Sequence, residues 1–151
     1  MKLPTIFVTI VLVSAVAAKK FYVFKTHLNW HLAFRDCEAR GLQMATINEW
    51  NENHYFRLAM EQSGTLNEWI WISGTDLASV GNFTWMTNGR PLSSIYWLWF
   101  PNEPNNYGGN ERCINAMLHR TEAKWNDLDC DKKLYYACED KPSTCDATVS
   151  T

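Results

Sequence analysis

The sequence predicts an α+β domain stabilised by disulfide bonds, with two helices near its start and a second half of short strands and long loops. Two segments place apolar residues at helical spacing, and short apolar or aromatic runs typical of strands lie before and after them. Five cysteines follow a leader typical of secreted proteins, and secretion favours disulfide bonds over free thiols.

Composition and charge exclude several functional classes. The chain has 151 residues, of which 46% are hydrophobic and 20% charged, which is typical of one globular domain and argues against a disordered or fibrous protein. The formal net charge is −2, and no basic run is longer than two lysines. Nucleic acid and anionic membrane surfaces are therefore poor candidate partners.

Residues 1–18 have the pattern of a secretory signal peptide. Lys2 supplies a positive start, residues 6–13 an apolar segment, and residues 14–18 the small side chains of a cleavage site. The alternative is a membrane anchor, but the apolar stretch of 16 residues is shorter than the ~20 needed to span a bilayer. We expect a secreted, extracellular protein without membrane insertion, with one domain over 19–140 and a short polar tail over 141–151.

The first half of the domain alternates strand and helix. Residues 21–24 are aromatic and β-branched, which predicts a first strand. Asn29 is a suitable N-cap for a first helix, and Gly41 suits its C′ position. Asn48 is a suitable N-cap for a second helix that runs toward Gly64. The apolar positions of the first helix are Trp30, Ala33, Phe34 and Cys37.

The second half contains short strands separated by polar turns. Residues 101–109 are loop-forming and rich in side-chain oxygen, and residues 125–127 are predicted as another polar turn. Most tryptophans are expected in the core. Strands are predicted at residues 69–72, 81–85, 113–117 and 134–138, and the expected core tryptophans are Trp30, Trp69, Trp71, Trp85 and Trp125.

The polar loops carry a set of oxygen ligands without sulfur or imidazole. Three carboxylates and two amides suit a hard cation, and calcium is favoured over magnesium because it accepts about six to eight oxygen ligands in flexible geometry. The alternative is that these are ordinary solvated loop residues. The candidate ligands are Glu103, Asn105, Glu111, Asn126 and Asp127.

The cysteines are more consistent with disulfide bonds than with a zinc site. No pair has C-x-x-C spacing, and the four histidines are scattered. Spacing alone leaves the pairing open, and one thiol is left over. The five are Cys37, Cys113, Cys130, Cys138 and Cys145.

Taken in order, these motifs resemble the C-type lectin domain from about Phe21 to Glu139. The organisation of this chain, one domain behind a predicted signal peptide, is similar to that of the small secreted lectins of invertebrates. The motifs are Cys37, Trp71-Ile72-Ser73-Gly74, Gly81-x-Phe83-x-Trp85, Glu103-Pro104-Asn105, Glu111 before Cys113, Trp125-Asn126-Asp127, Cys130 and Cys138.

The resemblance implies a fold in which two helices pack on small antiparallel sheets beside a long calcium- and sugar-binding loop region. It implies disulfides Cys37–Cys138 and Cys113–Cys130, and a cis bond before Pro104. It also implies one principal Ca²⁺ bound by the five oxygen ligands named above, which then bind the sugar. An auxiliary calcium site is not expected, because Asn106 and Arg112 stand where many relatives have acidic residues.

The expected function is that of a calcium-dependent lectin, not an enzyme. In the family the order Glu-Pro-Asn accompanies mannose-type sugars, and the glycans expected here are those of microbial or cell surfaces in innate immunity. Tyr107 is a candidate for stacking on the sugar. A module of the same fold that binds a protein or surface without sugar is the alternative. A glycosidase acid/base pair is disfavoured, because a calcium ion would keep the three carboxylates ionised.

Two features remain open in the sequence. Cys145 lies outside the core pattern, and either links two chains as a homo- or heterodimer or is a tail thiol. Asn82-Phe83-Thr84 is an N-glycosylation sequon in a chain predicted to be secreted.

Overall fold

The fold was analysed in a computed structural model that describes residues 18–92 and 98–142. The predicted leader up to residue 17, and Cys145 with the tail beyond residue 142, lie outside the described residues. Within the described ranges, no helix is both long and apolar enough to cross a membrane.

The predicted α+β class is confirmed, and two helices pack on a mixed sheet. In the described residues the strands join into one seven-stranded sheet with the path β1-β7-β3-β5-β6, while β2 pairs with β7 and β4 with β3. The pair β3–β7 is parallel and the others are antiparallel. The elements are β1 Phe21–Leu28, α1 Trp30–Ala39, β2 Gln43–Met44, α2 Trp50–Ser63, β3 Ile70–Thr75, β4 Thr84–Trp85, β5 Cys113–His119, β6 Glu122–Leu128 and β7 Leu134–Glu139.

Helix α1 begins and ends where its caps predict. The Asn29 side chain accepts a hydrogen bond from the Leu32 backbone N–H at 2.9 Å, and Gly41 follows the helix with φ +75°. Its buried face consists of Trp30, Ala33 and Cys37.

Helix α2 begins one residue later than predicted. The N-cap is Glu49 rather than Asn48, and its side chain makes no capping hydrogen bond. The Glu52 carboxylate, in the first turn of the helix, instead accepts a hydrogen bond from the backbone N–H of Asn48. This bond satisfies a backbone donor just before the helix begins. Gly64 ends the helix in the left-handed conformation, as predicted.

The prediction of a polar turn at residues 125–127 is wrong, because these residues lie inside β6. Seven consecutive residue pairs join β5 to β6, and the hairpin reverses at Arg120, which has φ +60°. Ala123, Trp125 and Asp127 are buried while the residues between them are partly exposed. This period of two is that of a strand, and the polarity of the Asn-Asp pair conceals it.

The core lies on both faces of the sheet. On one face, α2 contributes Phe56 and Met60 beside Ile70 and Ile72, and on the other α1 packs against Trp71. Of the five tryptophans expected in the core, Trp69 alone is only partly buried, with its ring 5.5 Å from that of Phe100.

Two disulfides join distant parts of the fold. Cys37–Cys138 links α1 to β7, and Cys113–Cys130 links the start of β5 to the turn after β6. These are the pairs that the resemblance implies. The second disulfide holds together the two strand ends beside which the oxygen-rich loop lies.

Candidate functional site

Asp127 is the buried centre of the candidate site. It lies next to the end of β6 and is 1% exposed. Its carboxylate oxygens accept the backbone N–H groups of Asn105 at 3.0 Å and Asn106 at 2.8 Å. The strand therefore holds the oxygen-rich loop through one carboxylate, across 21 and 22 residues of sequence.

Glu103 lies beside the same turn. Its carboxylate accepts the Asn105 backbone N–H at 3.1 Å and the Asn105 side-chain N–H at 2.8 Å. The peptide bond between Glu103 and Pro104 is cis, as the resemblance implies. Asn102 and Asn106, on either side of this segment, adopt positive φ, a conformation that asparagine tolerates better than most residues.

Glu111 closes the turn from its far side. Its carboxylate accepts the backbone N–H of Tyr107 at 2.7 Å, and its own backbone N–H donates to the Asn106 side-chain oxygen at 3.1 Å. The Asn105 side-chain oxygen accepts the same Tyr107 N–H at 2.8 Å. Four of the five predicted ligands, Glu103, Asn105, Glu111 and Asp127, are thus joined by hydrogen bonds at the turn formed by residues 105–107.

The fifth predicted ligand, Asn126, occupies the neighbouring position of β6, opposite Asn115 of β5. Its side chain makes none of the hydrogen bonds that join the other four in the described chain. Tyr107 is 82% exposed, so its ring is accessible beside the turn.

Burial and crowded negative charge raise the pKa of two carboxyl groups in the site. Burial, followed by the neighbouring Asp127 carboxylate, raises the pKa of Glu103 to about 7. Burial also raises the pKa of Glu111, with Asp127 and Asp129 adding to the effect. Within residues 18–92 and 98–142, no three histidine, cysteine or acidic side chains form a compact preassembled metal cluster. The carboxylates are instead held by loop N–H groups.

Arg112 provides a fixed positive charge behind the loop. Its guanidinium pairs with Asp76 at 3.2 Å and donates to the Gly109 carbonyl at 3.1 Å. Asp76 is 2% exposed and accepts the Gly81 backbone N–H at 2.7 Å. Asp76 was not predicted as a functional residue, because no local pattern in the sequence indicates its contact with Arg112, 36 residues away.

The sequon asparagine lies on the surface. Asn82 is exposed, whereas Phe83 and Trp85 are buried. The Asn82 side-chain N–H donates to the Ser79 hydroxyl at 2.9 Å. The asparagine that a glycan would modify is therefore accessible.

Comparisons with known proteins agree with this architecture. A family model described as the lectin C-type domain matches residues 26–140. The chain is 31% identical over 146 residues to C-type lectin mosGCTL-7 of Aedes aegypti, covering 90% of this chain and 93% of that protein. It is 30% identical over 125 residues to lectin subunit alpha of Sarcophaga peregrina, covering 78% of this chain but only 44% of that protein.

A solved structure supports the same relationship. The fold resembles the carbohydrate-recognition domain of cow CD23, whose crystal structure was determined in the presence of a GlcNAc2Man3 oligosaccharide. The TM-score is 0.69 at 27% identity, and the match covers 83% of this chain and 89% of that chain.

Proposed function

The chain belongs to the C-type lectin domain family, and from that membership we propose that it is a secreted, calcium-dependent lectin of mannose-type specificity. The domains of this family are non-enzymatic carbohydrate-binding modules. The observation that carries the proposal is the convergence of Glu103, Asn105, Glu111 and Asp127 on one turn of the loop.

The donor chemistry of this cluster fits a calcium ion. Its side chains offer carboxylate and amide oxygens. Burial, and after it the negative charge of Asp127, raises the pKa of Glu103 and of Glu111, and a bound cation would offset both effects. Glu103, Asn105, Glu111, Asn126 and Asp127, which we call the primary site, would hold the ion. When bound, calcium supplies open coordination positions for two neighbouring sugar hydroxyls.

The side chains of the primary site would orient those hydroxyls. Glu103 and Glu111 would accept hydrogen bonds from the sugar hydroxyls, and the side-chain amides of Asn105 and Asn126 would donate hydrogen bonds to the hydroxyl oxygens. The acid lies before Pro104 and the amide after it, which in this family accompanies equatorial hydroxyl pairs such as those of mannose. Affinity for one sugar residue is expected to be around millimolar, because few contacts offset the cost of association.

Weak single-site binding favours a multivalent role. We propose recognition or agglutination of microbial or cell-surface glycans in innate immunity, where many weak contacts act together. Cys145, outside the described residues, is the candidate for a link between chains, and Asn82 is the candidate glycosylation site.

Affinity chromatography tests the proposed function. We expect the protein to be retained on mannan-agarose in calcium and released by EDTA or by free mannose, and not to be retained on galactose-agarose. Retention that is indifferent to EDTA, or absent altogether, would contradict the mechanism. Equal retention on both matrices would contradict the mannose-type specificity alone.

Calcium affinity is expected to fall as the pH decreases through about 7. The raised pKa of Glu103, about 7, means that a proton must leave this group before calcium binds. Each displaced proton lowers the apparent affinity by about tenfold per pH unit below that value. Calcium titrations at pH 8, 7, 6 and 5 measure the effect, and an affinity that stays constant over this range would contradict it.

The metal-free protein supplies a control for acid unfolding. A carboxyl group whose pKa is raised in the folded state binds protons more readily than in the unfolded state. Glu103 therefore stabilises the metal-free fold as the pH falls from about 7 toward the ordinary value of 4.5. Melting curves in EDTA distinguish loss of calcium from loss of the fold.

A further inference from the structure

Arg112 is fixed to the sheet by its backbone and reaches back to the oxygen-rich loop with its side chain. Its backbone N–H donates to the Leu128 carbonyl at 3.2 Å, and its carbonyl accepts the Asp76 backbone N–H at 3.1 Å. The Thr75 hydroxyl donates to the same carbonyl at 2.8 Å. The backbone of Arg112 is therefore held by the end of β3 on one side and by the end of β6 on the other.

The guanidinium of Arg112 divides its donors between two segments of the chain. Its Nη1 lies 3.2 Å from the Asp76 carboxylate, and its Nη2 donates to the Gly109 carbonyl at 3.1 Å. Because the group is planar and rigid, the position of one donor sets the position of the other. The Gly109 carbonyl is thus held relative to β3 through a side chain that is only 19% exposed.

The Asp76 carboxylate anchors this guanidinium. The Asp76 side chain is 2% exposed, and it also accepts the Gly81 backbone N–H at 2.7 Å. An ionised carboxylate at this depth requires a compensating positive charge. Among the residues that the structure describes, Arg112 supplies that charge. The fold therefore has its own reason to hold the guanidinium in place, independent of the primary site.

Glu111 lies between the two points that Arg112 fixes. The guanidinium holds the chain at Gly109, and the backbone of Arg112 holds it one residue after Glu111. Gly109 also ends the turn of the loop, because its N–H donates to the Asn106 carbonyl at 2.9 Å. Within this frame the Glu111 carboxylate accepts the Tyr107 N–H at 2.7 Å.

We propose that Arg112 is a positioning residue for the primary site. Its guanidinium, anchored on Asp76, holds the Gly109 end of the turn, so that the Glu111 carboxylate stands in its ligand position before a calcium ion arrives. In this role Arg112 contacts neither the ion nor the sugar. The inference rests on the proposed function and extends it to a residue outside the five ligands.

Charge and position predict opposite effects of removing the Arg112 side chain. A fixed positive charge near a calcium site repels the ion, so charge alone predicts that Arg112→Gln binds calcium more tightly. Loss of position predicts weaker binding, because the loop must then be ordered when the ion binds. The direction of the change in affinity therefore distinguishes the two effects.

Calcium titration by calorimetry measures this direction. We expect Arg112→Gln and the double variant Asp76→Asn/Arg112→Gln to bind calcium about tenfold more weakly than the unaltered protein, as for other residues that orient metal ligands. The double variant leaves no buried carboxylate without a partner charge. Arg112→Lys keeps the charge but not the rigid fork, so its affinity should also fall. The matched control Arg35→Gln removes an exposed arginine from α1 and should not change the affinity.

Hydrogen exchange in EDTA tests the same role without the ion. The backbone N–H groups of residues 105–107 and of Gly109 are hydrogen-bonded at the turn. A tenfold loss of affinity means that only about one tenth of the metal-free molecules hold the ordered loop. These groups should therefore exchange at least about tenfold faster in the double variant than in the unaltered protein or in Arg35→Gln, while exchange in α1 stays the same.

The outcomes separate the role of Arg112 from the proposed function. If the unaltered protein binds no calcium, the proposed function fails, and the role of Arg112 fails with it. If the unaltered protein binds calcium but Arg112→Gln and the double variant bind it equally well or more tightly, Arg112 does not position the site, and the proposed function stands. Unchanged exchange at residues 105–109 in the double variant, or an equal rise of exchange in α1, would also overturn the inference.

Discussion

The variant Asp127→Asn is expected to lose calcium binding and, with it, retention on mannan. Asparagine has nearly the same shape but no negative charge, and one of its two terminal atoms is a donor rather than an acceptor. The Asp127 carboxylate accepts two loop N–H groups, at 3.0 and 2.8 Å, so the substitution removes a metal ligand and weakens the anchor of the loop. We expect calcium affinity to fall by roughly 100-fold or more, since changes even to residues behind metal ligands cost about 10–100-fold.

Asp131→Asn is the matched control for this prediction. Asp131 is exposed in the turn after β6, so the same change of charge is made away from the primary site. The control should bind calcium as the unaltered protein does. A second variant, Glu111→Gln, tests the same site from the loop, where the fold depends less on a buried side chain. If both primary-site variants kept calcium affinity within threefold of the original, the assignment of the site would be wrong.

Removal of the Cys37–Cys138 disulfide is expected to lower the stability of the protein more than removal of Cys113–Cys130. The Cys37–Cys138 disulfide joins cysteines that are 101 residues apart in sequence, whereas the cysteines of Cys113–Cys130 are 17 residues apart. Chain entropy predicts a contribution of about 4.7 kcal/mol for a loop near 100 residues and about 3 kcal/mol for one near 15. The first value is a large fraction of the roughly 5–15 kcal/mol that stabilises a typical domain.

Denaturant unfolding of two double-alanine variants measures this difference. Cys37→Ala/Cys138→Ala should lower the free energy of unfolding by more than Cys113→Ala/Cys130→Ala, and the second variant serves as the control for removing two buried sulfur atoms. An equal or reversed order would show that the packing of α1 against β7, rather than loop closure, determines the effect. Loss of the Cys113–Cys130 disulfide should instead weaken sugar binding, because this disulfide joins the strand ends beside the primary site.

Local signals predicted the helices better than the strands. Asn29 and Gly41 act within one or two turns of α1, so their chemistry is visible in a few residues. Trp125-Asn126-Asp127 forms a strand because it pairs with β5 and buries alternate side chains, and neither property can be recognised in these three residues alone. The parallel pair β3–β7 likewise joins segments more than 60 residues apart.

The order of motifs identified the candidate site, but not how it is held together. Glu103, Glu111 and Asp127 were predicted as ligands from their oxygen chemistry and from a resemblance, whereas the backbone N–H groups of Asn105 and Asn106 that reach Asp127 emerge only in three dimensions. The ion pair between Asp76 and Arg112 is also a long-range contact. Chemistry-bearing residue types can be recognised in a sequence, while their burial and mutual distances depend on the whole fold.

Calorimetric titration of mannose with and without calcium measures whether the sugar binds through the ion. If the sugar is bound through a calcium ion held by the primary site, mannose should bind with a dissociation constant around millimolar in saturating calcium and give no binding heat in EDTA. Calcium should in turn bind more tightly in saturating mannose, because coupling between two ligands is reciprocal. Mannose binding of equal strength in EDTA, or calcium affinity unaffected by mannose, would show that calcium does not mediate sugar binding.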